Sequence, residues 1–214
     1  MITVLVADDH AMVRAGIVRM LEDAEGISVI AQAASGEEVI SSCRVLRPHI
    51  VLMDVRMPGI GGLEATRKLK QIAPDTRVIA LSAYDQEPMP SLLLKAGAAA
   101  YVTKGASEQE MVLAVRQVAL GQRYLSPGVA QNMAFKQLSG DDGSPFESLS
   151  EREMQISLMI ANCHKVQEIA DNLHISSKTV NSYRYRVFEK LDISGDVELT
   201  LLAMRHGLID APET

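Results

Sequence analysis

The sequence predicts a two-part chain: an α/β unit built on a five-stranded parallel sheet, then an all-α unit of four helices. Three observations carry this expectation. In the first half, short runs of β-branched and aliphatic residues alternate with longer stretches in which apolar residues recur at helical spacing. After Gly121 the alternation stops, and Ser139-Gly-Asp-Asp-Gly-Ser-Pro145 offers turn chemistry with nothing apolar to bury. Beyond it only helical periodicity remains.

Taken in order, strands are expected at Thr3–Ala7, Ser28–Ala33, Ile50–Met53, Val78–Leu81 and Ala99–Val102. Val13, Ile17, Met20, Leu21 and Ala24 share one helix face, as do Met111, Val112, Val115, Val118 and Ala119. Strands interleaved with helices imply a parallel sheet covered on both sides. Leu125 to Leu138 reads as a short helix opening at Ser126-Pro127. Four further helices are expected near 150–162, 165–173, 177–191 and 195–206. The expected domains are therefore 1–121, a linker at 122–147 with its short helix, and 148–214.

Composition narrows the function classes. A chain of 214 residues with 47% hydrophobic and 22% charged residues is globular, with room for one large domain or two small ones. Lys and Arg number 21 against 27 Asp and Glu, a net charge of −6, which argues against coating nucleic acid or an anionic membrane by bulk charge. A local basic surface stays open. The two cysteines, Cys43 and Cys163, are too few for a disulfide framework or a four-thiolate zinc site and suit a reducing compartment. No apolar run reaches the roughly 18 residues that span a bilayer. The N-terminus turns acidic at Asp8 without a basic start, so a cytoplasmic location is expected.

The first unit carries an acidic constellation. Asp8 and Asp9 follow the first strand, Asp54 ends the third, Ser82 ends the fourth, and Lys104 lies just past the fifth. Carboxyl ends of parallel strands form the binding crevice of such sheets, so these residues should converge. Clustered carboxylates suit a small hard cation such as Mg²⁺. A carboxylate beside it can attack a phosphoryl group and form an acyl phosphate, with Lys104 and Ser82 on the phosphoryl oxygens. Taken singly, Asp9 reads more readily as an N-cap for a helix starting near Ala11 than as a metal ligand, Lys104 as a solvated charge and Ser82 as a strand-end hydroxyl. The string Asp54-Val-Arg-Met-Pro-Gly-Ile-Gly-Gly62 weighs against that, because it marks a backbone turn that must approach something closely.

The Asp8-Asp9-His10 start, the Leu-Met-Asp54 strand with its Met-Pro-Gly-Ile-Gly-Gly loop, Leu81-Ser82-Ala83 and Val102-Thr103-Lys104 resemble a response-regulator receiver domain. The resemblance implies a flavodoxin-like fold with Asp54 as phosphoacceptor. It implies Asp8, Asp9, Asp54 and the backbone carbonyl of Arg56 as Mg²⁺ ligands, and Ser82, Tyr101 and Lys104 as the switch residues. Gly105 departs from the proline that many receivers carry after the lysine.

In the second unit, Val180, Tyr183, Val187 and Leu191 line one face of a helix capped at Ser176 or Ser177. Lys178, Asn181, Ser182 and Tyr185 cluster opposite, with Arg186 on the flank. An apolar back and a partly basic front suit a recognition helix, in which Asn reads adenine while Lys and Arg read guanine or hold phosphate. From 148 to 214 there are seven Lys or Arg against ten Asp or Glu, so the case rests on that local face; on periodicity alone a plain helical bundle is the preferred reading. Leu149-Ser-Glu-Arg-Glu153, Val166-Gln-Glu-Ile-Ala170, Ile175-Ser-Ser-Lys-Thr-Val180 and Lys190-Leu191 resemble the LuxR/NarL (FixJ) helix-turn-helix. Asn162-Cys-His-Lys-Val166 and Thr179-Val-Asn-Ser-Tyr-Arg-Tyr-Arg186 are similar to the GacA/UvrY group of global activators.

The resemblance implies a transcription regulator that accepts a phosphoryl group from a cognate, hybrid sensor histidine kinase and binds double-stranded DNA as a homodimer. The expected DNA-contacting residues are Lys165, Lys178, Thr179, Asn181, Ser182, Arg184, Tyr185 and Arg186. The last helix is apolar on two sides, Val197, Leu201, Met204 and Leu208 on one and Leu199, Leu202 and Ala203 on the other. Leu199, Leu202 and Ala203 are assigned to the dimer, with burial against the first unit as the alternative. Two other classes stay open. A haloacid-dehalogenase-type phosphatase needs Asp-x-Asp after the first strand, where this chain has adjacent aspartates, so no turnover enzyme is expected. A DNA-binding protein whose receiver is only an interaction module would bind DNA equally well with Asp54→Asn. The five histidines are read as structural and the eleven methionines as packing.

Overall fold

The computed structural model describes residues 1–83, 88–139, 144–173 and 175–209. Two compact units divide within one helix, after Met133. His174 and the turn residues at 140–143 lie outside the described residues.

The first unit runs β1 (Ile2–Ala7), α1 (Ala11–Glu22), β2 (Ile27–Ala33), α2 (Gly36–Leu46), β3 (Ile50–Asp54), α3 (Gly61–Ile72), β4 (Arg77–Ser82), α4 (Met89–Ala96), β5 (Ala100–Thr103), α5 (Glu108–Ala119), β6 (Tyr124–Leu125) and the start of α6 (Pro127–Ser139). The sheet is six-stranded and parallel, in the order β2-β1-β3-β4-β5-β6. The expectation of five strands is corrected by β6. Its two residues pair Tyr124 with Ala100 and Leu125 with Tyr101, and two residues are too short to show a period of two.

The strands read as unbroken apolar runs because both faces are covered. Val4, Val6, Leu52 and Leu81 pack with Ile17 and Leu21 of α1 and Met111, Val115 and Val118 of α5. Leu5, Val51 and Met53 pack with Val39 and Cys43 of α2 and Leu69 of α3. Burial pushes the Cys43 thiol up to about 11, so it behaves as a small apolar side chain. Ser35 caps α2 and Ser107 caps α5 through side-chain oxygens.

The second unit holds a 3₁₀ turn at Pro145–Ser148, α7 (Glu151–Ala161), α8 (Val166–Leu173), α9 (Ser177–Leu191) and α10 (Asp196–Arg205). The stretch expected as linker, 122–147, thus contains β6, α6 and most of the 3₁₀ turn. Among the described residues no helix is long and apolar enough to cross a membrane. A capping box opens α7, with Ser150 accepting from the Glu153 N–H and Glu153 accepting from the Ser150 N–H. Lys190, near the end of α9, donates to the same Glu153 carboxylate at 2.7 Å. One buried carboxylate therefore ties the start of α7 to the end of α9.

Burial pushes the Glu153 carboxyl up, but hydrogen bonds from Lys190 and Ser150 outweigh it and hold the group below its usual range. A folded value below the unfolded one, near 4.3 for glutamate, gives stability that is full above that value and lost as pH falls through the folded one. Glu153→Gln should lower the stability of this unit at pH 7 by about 1–3 kcal/mol and flatten its acid dependence below about pH 4.5. Urea denaturation with exchange protection read at α7 and α9 amides checks this; equal acid limbs for both proteins would refute it.

Candidate functional site

β1 and β3 lie side by side, with Ala7 paired to Met53, so the residues that follow and end them emerge together. Asp8 is fully buried and Asp54 nearly so. Next in the sheet, Asp54 pairs with Leu81, and Ser82 of β4 pairs with Thr103 of β5. The order β1-β3-β4-β5 therefore brings Asp8, Asp54, Ser82 and Lys104 to one edge. The Lys104 ammonium bridges Asp8 Oδ2 at 2.7 Å and Asp54 Oδ2 at 2.8 Å. Asp54 Oδ1 accepts from the Arg56 N–H at 3.1 Å, and Asp8 Oδ1 from the His10 N–H at 2.8 Å.

His10, not Asp9, is the N-cap residue of α1, and it makes no side-chain cap. The capping alternative for Asp9 is thereby corrected. Its carboxylate instead meets His10 Nδ1 at 2.8 Å. Asp8, Asp9, His10 and Asp54 each bring one ligand atom within 4.8 Å of the others. Three carboxylates against one ammonium leave the cluster acidic, and its oxygen donors suit a hard divalent cation such as Mg²⁺.

The loop after β3 explains its glycines. A Cβ on Gly62 would lie 2.1 Å from the Asp54 carbonyl oxygen, so α3 can start against the end of β3 only if this residue has no side chain. The Gly62 N–H donates to the Val55 carbonyl at 3.1 Å, which fixes that approach. Glu37 of α2 accepts from the Ile60 N–H at 3.0 Å and steadies the same loop. Ser82 and Tyr101 are buried, the ring of Tyr101 completely. Sequence reading missed Glu37 and His10. Glu37 acts across 23 residues without a local signature, whereas the adjacency of His10 to the two aspartates was a usable signal. Three other histidines are structural: His49 holds Thr3, His164 lies against the Met159 carbonyl, and His206 packs edge-on against Phe146.

In the helical unit, α8 and α9 form a helix-turn-helix, with Ser176 capping α9 through the Thr179 N–H. Ser177 reaches back to Gln167 of α8 at 2.9 Å. Val180, Val187 and Leu191 are buried, while Lys178, Ser182, Tyr185 and Arg186 are exposed and Thr179 and Asn181 half-buried along the other side. Lys165 is exposed at the start of α8, and the Arg186 guanidinium lies over the Tyr183 ring. Arg184 departs from the expected set. It forks onto Asp196 of α10 at 2.7 and 2.6 Å and lies over Phe188, so it joins two helices instead of standing free for phosphate. The local count of basic residues could not see a partner 12 positions on.

Of the α10 residues assigned to the dimer, Leu199 and Ala203 are buried, with α10 packed on α7, and Leu202 is half-buried; of the other stripe Val197 is 74% and Leu201 50% exposed, Met204 is half-buried and Leu208 buried. Periodicity gave two stripes but not which of them α7 would cover.

Burial is the largest influence on Asp54 and raises its pKa to about 6 against the opposing pull of Lys104. Burial alone would lower the Lys104 ammonium, but its bonds to Asp54 and Asp8 raise it. Because the folded value for Asp54 exceeds the unfolded one, its favourable contribution is full below about pH 4 and is lost as pH rises to about 6. In EDTA, Asp54→Asn should therefore stabilise the chain at pH 7 by roughly 1–3 kcal/mol and at pH 4 hardly at all. Denaturant midpoints at the two pH values measure this, and a variant less stable at pH 7 would contradict it.

Two family models match: the response regulator receiver domain over residues 4–116, and the luxR family of bacterial regulatory proteins over 147–203. The chain is 60% identical to the response regulator GacA of Pseudomonas protegens, over 99% of each chain. It is 54% identical to the response regulator UvrY of Escherichia coli, over 99% of this chain and 97% of the relative. Among solved structures, the response regulator ChrA of a heme-sensing two-component system is 30% identical with a TM-score of 0.55, covering 97% of this chain and 98% of that one.

Proposed function

The chain belongs to the two-component response regulators that join a receiver to a luxR-family DNA-binding domain, and from that premise we propose that Asp54 is the phosphoacceptor whose modification controls DNA binding. The observation that carries this is the Lys104 ammonium bridging two buried aspartates at the ends of adjacent strands. Residues 1–121 are the receiver and 148–214 the DNA-binding domain in this reading.

A carboxylate oxygen of Asp54 attacks the phosphorus of a kinase phosphohistidine. The P–N bond breaks and its electron pair stays on the imidazole, leaving an acyl phosphate. Asp8, Asp9, Asp54 and the Arg56 carbonyl would hold Mg²⁺, which when bound neutralises phosphoryl charge. The new group adds up to about two negative charges beside Asp8 and Asp9. Lys104, which now spans Asp54 and Asp8, then gains a phosphoryl partner on the Asp54 side. Ser82 donates its hydroxyl to a phosphoryl oxygen, and Tyr101 shifts with it. The site is a stoichiometric acceptor, hydrolysing its own acyl phosphate slowly.

On DNA, Lys178, Asn181, Ser182, Tyr185 and Arg186 face the groove, with Lys165 and Thr179 at the helix starts on phosphate. Val197 and Leu201 form the stripe that pairs with a second copy, presenting two recognition helices to neighbouring half-sites. In this reading the chain acts as a global activator in the cytoplasm, fed by a hybrid kinase.

Intact mass after incubation with acetyl phosphate and Mg²⁺ should show one phosphoryl group on the wild type and none on Asp54→Asn or in EDTA; an adduct on the variant would refute the assignment. Leu201→Glu should abolish dimers on a duplex selected from a random pool while leaving acyl phosphate formation unchanged. Sedimentation of the complex reads this, and retained dimers would refute the α10 stripe.

A further inference from the structure

The end of β5 is held from an unexpected side. Ser126 donates its backbone N–H to the Tyr101 carbonyl at 3.0 Å and so continues the β5–β6 ladder. The chain then turns at Pro127, and the Ser126 carbonyl is taken by the Ala130 N–H in the first turn of α6. The next β5 donor, the Thr103 N–H, would be left without a ladder carbonyl. The Ser126 hydroxyl oxygen accepts it instead, at 3.3 Å. The same hydroxyl gives its own proton to Glu110 of α5. Ser126 is 3% exposed, so neither bond is exchanged for water at low cost. Across the strand, the Lys104 N–H donates to the Ser82 carbonyl at 2.7 Å. The peptides that aim Lys104 thus hang between Ser82 on one side and Ser126 on the other.

We propose that Ser126, oriented by Glu110, is a positioning residue for Lys104 and the link by which the phosphoryl state of Asp54 reaches α6. The proposal rests on the Asp54 reading above. A lysine drawn toward a phosphoryl group pulls on the Thr103 peptide. Ser126 is bonded to β5 through both its N–H and its hydroxyl, so it follows. Its carbonyl anchors α6, whose first turn therefore moves with the switch strand. Glu110 fixes the hydroxyl rotor so that its lone pair faces Thr103.

The test uses the full chain with beryllofluoride and Mg²⁺, reading amide exchange over residues 127–133, with acyl phosphate lifetime and intact mass measured separately. Wild type should show changed exchange in α6. Ser126→Ala should still take up one phosphoryl group, lose the α6 response and change the acyl phosphate lifetime. Ser126→Thr should restore both. Glu110→Ala should match Ser126→Ala, whereas Glu110→Gln, which keeps an acceptor, should match wild type. An α6 response in Ser126→Ala equal to that of wild type, or none in a wild type that is phosphorylated, overturns the link alone. No wild-type adduct overturns the Asp54 reading and the link with it.

Discussion

Two carboxylates are buried at the ends of neighbouring strands, and a single ammonium makes that arrangement tolerable. Lys104 reaches Asp8 and Asp54 from just past β5, three places along the sheet from β1 and two from β3. Paired charges in such a setting must be nearly in contact, because the loss of hydration is otherwise not offset. The sheet order β1-β3-β4-β5 sets both aspartates within reach of the lysine. The helices behind then need only cover the two sheet faces.

The same arrangement leaves the site short of its most stable state. Asp54 stays partly destabilised when ionised, with its pKa raised to about 6 despite Lys104. A carboxylate that is poorly solvated and incompletely neutralised suits capture of a cation and a phosphoryl group. Gly62 contributes by leaving room for α3 beside the Asp54 carbonyl. Stability is withheld at the residue proposed to accept the phosphoryl group.

Much of this was readable from residue order. Asp8, Asp54 and Lys104 occupy strand ends, and parallel α/β sheets gather strand ends at one edge whatever their helices contain. The glycines of the loop announced a close approach, and the contact is with the Asp54 carbonyl itself. What escaped was decided by partners distant in sequence. Arg184 looked like a free cation until Asp196 placed a carboxylate against it. The two sides of α10 were equally apolar on paper, and α7 chose between them. Glu37 supports the loop from another helix, and β6 is too brief to leave a pattern.

That brevity has a consequence for solubility. A strand at the margin of a sheet exposes unpaired N–H and C=O groups that invite pairing with a foreign chain. Without β6, the margin would be β5, a strand of four residues leading straight into Lys104. Tyr124 and Leu125 close its first two rungs, and the Ser126 hydroxyl closes the Thr103 rung where backbone can no longer follow. A three-residue strip thus shields β5 from intermolecular β-pairing, and its deletion would expose that strand as a nucleus for aggregation.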